Sequence, residues 1–221
     1  MNTSKISTLM SAVLLSAGMI SAAHADVRIS EWMYSGAGGE FIEFTNLGTS
    51  AVNFAGWSYD DDSATPGVFD LSGFGIVAAG ESVVITEDNA AVFRTAWHLG
   101  SSVKVLGGYT NNIGRADQIN LFNGTTIVDT LTYADNGAAG GPRTQNASGI
   151  AKTFAALGAN DAKQWQLSVV GDFESSFASA NGDIGNPGYT SYAAAIPEPE
   201  TYALLLAGLG LLGFMARRRK V

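Results

Sequence analysis

The chain has 221 residues, no cysteine and a formal net charge of −8. Residues 26–195 carry 18 acidic side chains against 7 basic ones, a formal charge of −11, which argues against nucleic acid or an anionic membrane surface as a binding partner. Without cysteine, neither a disulfide nor a thiolate zinc site can hold the fold, so the hydrophobic core must do so alone.

The N-terminal stretch has the three parts of a secretory signal peptide. Lys5 is its cation, residues 9–20 are apolar, and Ala23 and Ala25 form a small-x-small cleavage site. We therefore expect a signal peptide that ends at Ala25, export by the Sec machinery, and a mature chain that begins at Asp26.

The body that follows, residues 26–190, is predicted to be one all-β domain. It alternates β-branched and aromatic runs with glycine-rich turns, the pattern of a sandwich of short strands. The Asn123-Gly124 pair predicts a type I′ hairpin, because both central residues of that turn need a positive φ. Strands are predicted over residues 27–34, 40–46, 51–59, 68–71, 82–86, 103–106, 117–122, 125–133, 150–154 and 165–170.

Residues 89–99 are the helix predicted within the body. Asp88 or Asn89 can accept from the first free backbone N–H groups and so cap it. The spacing of its apolar side chains predicts one buried face. That face contains Val92, Phe93, Ala96 and Trp97.

Alternation along the first predicted strand assigns its side chains to two faces. Val27, Ile29, Glu31 and Met33 lie on one face, and Arg28, Ser30, Trp32 and Tyr34 lie on the other. With Ile29 and Met33 facing the core, Trp32 and Tyr34 are expected to be exposed, which makes them a candidate pair of ligand-facing aromatics.

Asp60, Asp61 and Asp62 are the sharpest candidate for a metal site. Several adjacent carboxylates in a loop offer the oxygen ligands that calcium prefers. The alternative is a solvated acidic turn, since the spacing matches no EF-hand. No other cofactor is expected.

Glu31, Glu40 and Glu43 are candidates for acid–base chemistry of the glycosidase kind. On neighbouring strands, however, such side chains more often accept hydrogen bonds from backbone amides or pair with arginines. A structural role is the alternative that the strand pattern favours.

The body resembles the lamin tail domain, an immunoglobulin-like β-sandwich. The resemblance implies that Trp57 and Trp165 are core residues, and that the domain is a binding or architectural module rather than an enzyme. It is carried by Ile29-Ser30-Glu31, by residues 39–46 and 52–57, by Gly80-Glu81 and Phe93-Arg94, by the hairpin around Asn123-Gly124, by Trp165, and by Gly185-Asn186-Pro187-Gly188.

The C-terminal stretch has three ordered parts. Pro197, Glu198 and Pro199 lie in a predicted linker, residues 191–201, where the prolines favour extended backbone. An apolar run over residues 202–216 follows, predicted as a membrane-spanning helix. A cluster of four cations then acts as a membrane stop that stays in the cytoplasm by the positive-inside rule. These cations are Arg217, Arg218, Arg219 and Lys220.

This stretch resembles the PEP-CTERM sorting signal of Gram-negative bacteria that make extracellular polysaccharide. The resemblance implies recognition and cleavage by an exosortase, a membrane protease, after transient anchoring in the inner membrane. A plain anchor that is never cut is the alternative, although its fifteen apolar residues would span only about 22 Å of a roughly 30 Å hydrocarbon core.

Together these patterns predict a non-enzymatic protein of the cell surface or extracellular matrix. Exopolysaccharide or other surface proteins are its expected partners, in the setting of a biofilm. A secreted hydrolase with an unrecognised acidic site is the alternative function.

Overall fold

The computed structural model describes residues 26–136 and 139–195, with Leu205, Gly208 and Leu209 of the tail. The predicted signal peptide with Ala23 and Ala25, the Pro197-Glu198-Pro199 motif and the cations 217–220 lie outside the described residues. So does most of the apolar run. No helix within the described part of the chain has the length and hydrophobicity that crossing a bilayer requires.

The described body is built from short β-strands, one α-helix and four 3₁₀ helices. The strands are β1 (Val27–Met33), β2 (Phe41–Asn46), β3 (Val52–Asn53), β4 (Trp57–Asp60), β5 (Phe69–Asp70), β6 (Ile76–Val77), β7 (Ser82–Thr86), β8 (Lys104–Gly107), β9 (Ala116–Asn123), β10 (Thr126–Ala134), β11 (Gly149–Ala151), β12 (Trp165–Leu167), β13 (Phe177–Ala178) and β14 (Ile184–Gly185). The helices are α1 (Ala90–Ala96) and the 3₁₀ helices Ser72–Phe74, Phe154–Ala156, Ala162–Gln164 and Ser191–Ala195.

Two sheets form the sandwich. The larger has six strands in the order β12-β11-β1-β2-β7-β8, antiparallel except for the β7–β8 pair, and the smaller has the order β10-β9-β4-β5. The remaining four strands form the pairs β3–β6 and β13–β14. The all-β class and the sandwich are therefore as the sequence predicts.

The main core fills the space between the two sheets. Trp57 is 5% exposed and stacks on Phe54 with ring centroids 4.6 Å apart, and Trp165 is buried at the edge of the larger sheet. Burial of both tryptophans is thus confirmed.

A β-bulge in β1 decides which side chains enter this core. The register with β2 shifts between Ile29 and Glu31, so Trp32 falls on the same face as Ile29. Trp32 is fully buried and Tyr34 is 7% exposed, with the Trp32 ring 3.9 Å from that of Tyr133. The prediction that Trp32 and Tyr34 are exposed is wrong, because one extra residue in a strand reverses every side chain after it.

The predicted helix is present, but it is shorter than predicted and its buried face is narrower. It spans Ala90–Ala96, and Asn89 caps it by accepting from the amide of Ala91 at 2.9 Å. Phe93, Ala96 and Trp97 are buried, whereas Val92 is 56% exposed. Including Val92 in the buried face was wrong.

The predicted hairpin is also present, with its turn moved by one residue. Asn123 pairs with Thr126, which leaves Gly124 and Thr125 as the two loop residues. Gly124 has φ +59° and Thr125 is not among the positive-φ residues. Glycine alone at the first central position is the requirement of a type II′ turn rather than the predicted type I′ turn.

Candidate functional site

The outer face of the six-stranded sheet is covered in two ways. At one end α1 packs on an apolar cluster that includes Met33, Phe41 and Val84. The rest of this face carries polar side chains, and the segment of residues 168–190 lies over them. We call this segment the C-terminal cover.

Two glutamates from adjacent strands attach the cover to the sheet. Glu31 of β1 and Glu43 of β2 are paired across the ladder, and both are buried. Glu31 accepts a hydrogen bond from the amide of Asn186 at 2.8 Å and another from the Ser148 hydroxyl, while Glu43 accepts from the amide of Gly188 at 2.6 Å. Carboxyl oxygens of the sheet therefore hold backbone N–H groups of the cover by hydrogen bonds, which are stronger when the carboxyl group is ionised.

Hydroxyl groups satisfy the other oxygen of Glu43. Ser30, Thr45 and Ser82 place their hydroxyl oxygens 2.6, 3.2 and 3.1 Å from its Oε1 atom. These three residues come from β1, β2 and β7, and Ser30 is the extra residue of the bulge in β1. Such a filled shell is what a buried carboxyl needs, since an unpaired one is costly.

The buried pair has a raised affinity for protons. Burial raises the pKa of Glu43, and burial together with repulsion from Glu43 raises the pKa of Glu31 well above its ordinary value. Both carboxyl groups therefore favour their protonated form more than a carboxyl group in water does.

A third glutamate fixes the end of the cover. Glu174 is buried and accepts from the Thr190 hydroxyl at 3.1 Å and from the amide of Ser191 at 2.5 Å. Sequence reasoning singled out residues 185–188 through the family resemblance but missed Glu174. A lone glutamate in a polar loop gives no periodic signal that would have shown its burial.

Glu40 attaches a different loop, at the start of β2. Its Oε1 atom accepts from the Tyr109 hydroxyl at 2.8 Å and from the amide of Ile113 at 2.7 Å. Burial raises the pKa of Glu40 to about 8. The residue therefore orders the 109–113 loop against the sandwich.

The positions of these glutamates do not suit glycoside chemistry. Glu31, Glu40 and Glu43 are each at most 2% exposed, and donors from this same chain occupy them. A general acid must come within hydrogen-bond reach of its substrate. The geometry supports their structural role instead.

The three aspartates at the end of β4 belong to an internally hydrogen-bonded turn. Asp60 is buried and accepts from the Ser63 hydroxyl, the Thr65 amide and the Asn111 side chain at 2.5, 2.6 and 2.9 Å. Within residues 26–136 and 139–195, no three acidic or histidine side chains come together as a metal site would require. Calcium at Asp60, Asp61 and Asp62 stays a prediction.

Comparison with known families gives two matches. The Lamin Tail Domain family model matches residues 20–135, more than half of the chain. The protein belongs to the lamin tail domain family. The PEP-CTERM protein-sorting motif matches residues 195–220. No curated protein and no solved structure matches.

The lamin tail domain match locates the site within the family fold, which is immunoglobulin-like. It includes β1 to β10 and therefore Glu31, Glu40 and Glu43, whereas β11, β12 and the C-terminal cover lie beyond residue 135. Both matched families are non-catalytic. The sorting motif identifies an exported protein that an exosortase processes on its way to the cell surface.

The folded body of this chain ends next to the sorting motif. Residues 191–195, predicted as the start of a linker, form a 3₁₀ helix on the body. Tyr192 donates its hydroxyl to the carbonyl oxygen of Ala151 at 3.0 Å, and Ala193 packs beside Gly80. The folded body is thus fastened up to the residue at which the motif begins.

Proposed function

We propose that this lamin tail domain is a non-enzymatic module of the bacterial surface or extracellular matrix, associated with exopolysaccharide and sorted by an exosortase. The observation that supports this most is that Glu31, Glu40 and Glu43 are buried and hydrogen-bonded within the same chain. These are the acids that a hydrolase could have used, and each one fastens a loop of the same chain. What remains is a rigid sandwich suited to binding or architecture.

The tail supports the sorting part of the proposal. A protease outside the membrane needs an extended and accessible segment, which Pro197 and Pro199 favour by fixing φ and restricting the residues before them. The apolar run then needs only to hold the chain briefly in the inner membrane, while the cations 217–220 prevent full translocation.

The test of sorting replaces Pro197, Glu198 and Pro199 by alanines. We expect export to continue and a full-length, membrane-bound form to accumulate, because the protease loses its site while the anchor remains. Immunoblots of membrane, surface and medium fractions, from a host that carries the protease, measure this. Removal of residues 217–220 is the matched control and should let the uncut chain pass through the membrane. Unchanged size and release of the triple variant would mean that the tail is an ordinary anchor.

The test of the molecular role uses protein recovered from the surface of the producing strain. Co-sedimentation with that strain's own exopolysaccharide should retain the protein, whereas a screen on glycans and phosphoesters should show no turnover. Turnover that disappears in Glu40→Gln would establish the hydrolase instead.

A further inference from the structure

Two exposed phenylalanines flank Tyr192 where the chain leaves the body, and two exposed valines lie in the turn that precedes the second phenylalanine. Phe154 and Phe173 are 51% and 47% exposed, and Val169 and Val170 are exposed further still. Tyr192 lies between the two phenylalanines, with ring centroids 6.0 and 5.9 Å from theirs. We call these five residues the exit patch.

The exit patch is rigidly connected to the point where the tail begins. Tyr192 bonds the backbone of β11, and the amide of the residue before it bonds Glu174, so the patch and the exit form one unit. Only residues 196–201 separate this unit from the apolar run, and fully extended they span about 20 Å. A body of this size has a radius of gyration of roughly 15 Å, so the tether is shorter than the body is wide. Only the side that carries the exit patch can lie against the bilayer.

We propose that, before cleavage, the exit patch rests in the headgroup region of the membrane that holds the tail. The proposal builds on the sorting function above. Aromatic rings favour this interface, where an apolar body and a polar edge both find a suitable environment. A short tether also raises the effective concentration of the patch at the surface into the millimolar range, so weak contacts suffice.

The chemistry favours lipid over a second copy of the chain. Each body has a formal charge of −11 and would repel another. A stable dimer buries about 800 Å² on each partner, far more than five partly covered side chains provide. The same negative charge means that contact with lipid must come from the uncharged patch, not from electrostatic attraction.

The absence of cysteine from the sequence allows a direct test with single-cysteine reporters in the full chain. Phe173→Cys and Phe154→Cys each place one reporter in the patch. Val92→Cys is the matched control, because Val92 is a similarly exposed apolar residue. It lies on α1, which follows the C-terminal end of β7, whereas the chain exit at Ala193 packs beside Gly80, before the N-terminal end of β7. Gly208→Cys reports whether the tail itself is inserted.

Each variant is labelled with an environment-sensitive fluorophore and reconstituted, uncut, into vesicles of phosphatidylethanolamine and phosphatidylglycerol. We expect blue-shifted emission at positions 154, 173 and 208. Lipids with a nitroxide near the headgroup should quench the emission at 154 and 173, and lipids with a nitroxide deep in the acyl chain should quench it at 208. Position 92 should keep water-like emission. The pattern should persist at high salt.

Three results would overturn the proposal. Water-like emission at 154 and 173 with an inserted 208 rejects the membrane contact and leaves the sorting function intact. Efficient cross-linking between two copies through position 173 assigns the patch to a dimer. Water-like emission at 208 would show that the tail is not inserted in the bilayer, which contradicts the anchored state on which both proposals rest.

Discussion

Glu40 shows how a single carboxyl group can stabilise a loop while making the fold sensitive to pH. It is buried, it holds Tyr109 and Ile113 through one oxygen, and its pKa is raised to about 8 by burial. The folded state therefore keeps a proton that the unfolded chain loses above its ordinary pKa of 4.5. Stability contributed in this way is present at low pH and is lost as the pH rises from about 4.5 to about 8.

Glu40→Gln should remove that loss. The amide oxygen can accept both hydrogen bonds and never ionises, so the variant should become progressively more stable than the parent as the pH rises, by up to about 1.4 kcal/mol per pH unit in that window. Denaturant unfolding between pH 4 and 9 measures the difference. The exposed Asp62→Asn is the matched control and should follow the parent. If the free energies of unfolding of Glu40→Gln and the parent changed with pH in parallel, Glu40 would be ionised in the folded state.

Among the elements, the C-terminal cover is the one that buried glutamates of the sheet help to hold. It reaches the sheet through Glu31 and Glu43, whose acceptors hold the amides of Asn186 and Gly188. Phe177 also packs on Trp97, but most of the attachments of the cover are polar, and its only strands are the two-residue strands β13 and β14. The cover is therefore expected to open more readily than the sandwich beneath it.

Glu43→Ala should release the cover before the sandwich unfolds. The substitution leaves the Gly188 amide without its acceptor, a cost of about 1–3 kcal/mol for an unsatisfied buried group, while the hydroxyls of Ser30, Thr45 and Ser82 keep their bonds to one another. Hydrogen exchange at the amides of Asn186 and Gly188 should accelerate while β2 and β9 stay protected. Glu43→Gln keeps one acceptor oxygen and should behave closer to the parent. Uniformly faster exchange across both sheets would mean that the cover and sandwich open together.

The elements also show how far sequence reasoning extends. Local signals narrowed the N-cap to Asp88 or Asn89 and located the hairpin, although not its turn type, because each depends on neighbouring residues. The faces of Trp32 and Tyr34 could not be predicted, since the bulge that reverses them is set by pairing with β2 and has no marker residue. The acids of the site were found, but the donors at residues 186–188 come from far along the chain, and only the fold brings them close.

On the scale of the whole molecule, stability rests on the core between the two sheets. No disulfide can support it, since the sequence has no cysteine. A typical domain is stable by only 5–15 kcal/mol, about the cost of a few large cavities.

Trp57→Ala should therefore weaken the entire body. Deleting a buried large aromatic costs about 3–5 kcal/mol, so the melting temperature of a body of this size should fall by about 6–20 °C. Calorimetry measures it, and Trp57→Phe, which keeps the stack on Phe54, should lose much less. A Trp57→Ala protein that melts within a few degrees of the parent would contradict a core role for this ring.

The position of β1 in the middle of the six-stranded sheet has a consequence for the timing of export. A chain that crosses the membrane from its N-terminus delivers β1 and β2 early, but β11, the other neighbour of β1, begins only at Gly149. Until then one side of β1 is an open edge, the kind of surface that pairs with other chains. Such distant pairings also fold slowly. The nascent chain thus has to be kept from aggregation outside the cytoplasm until its last third arrives, and by then the sorting motif is close behind.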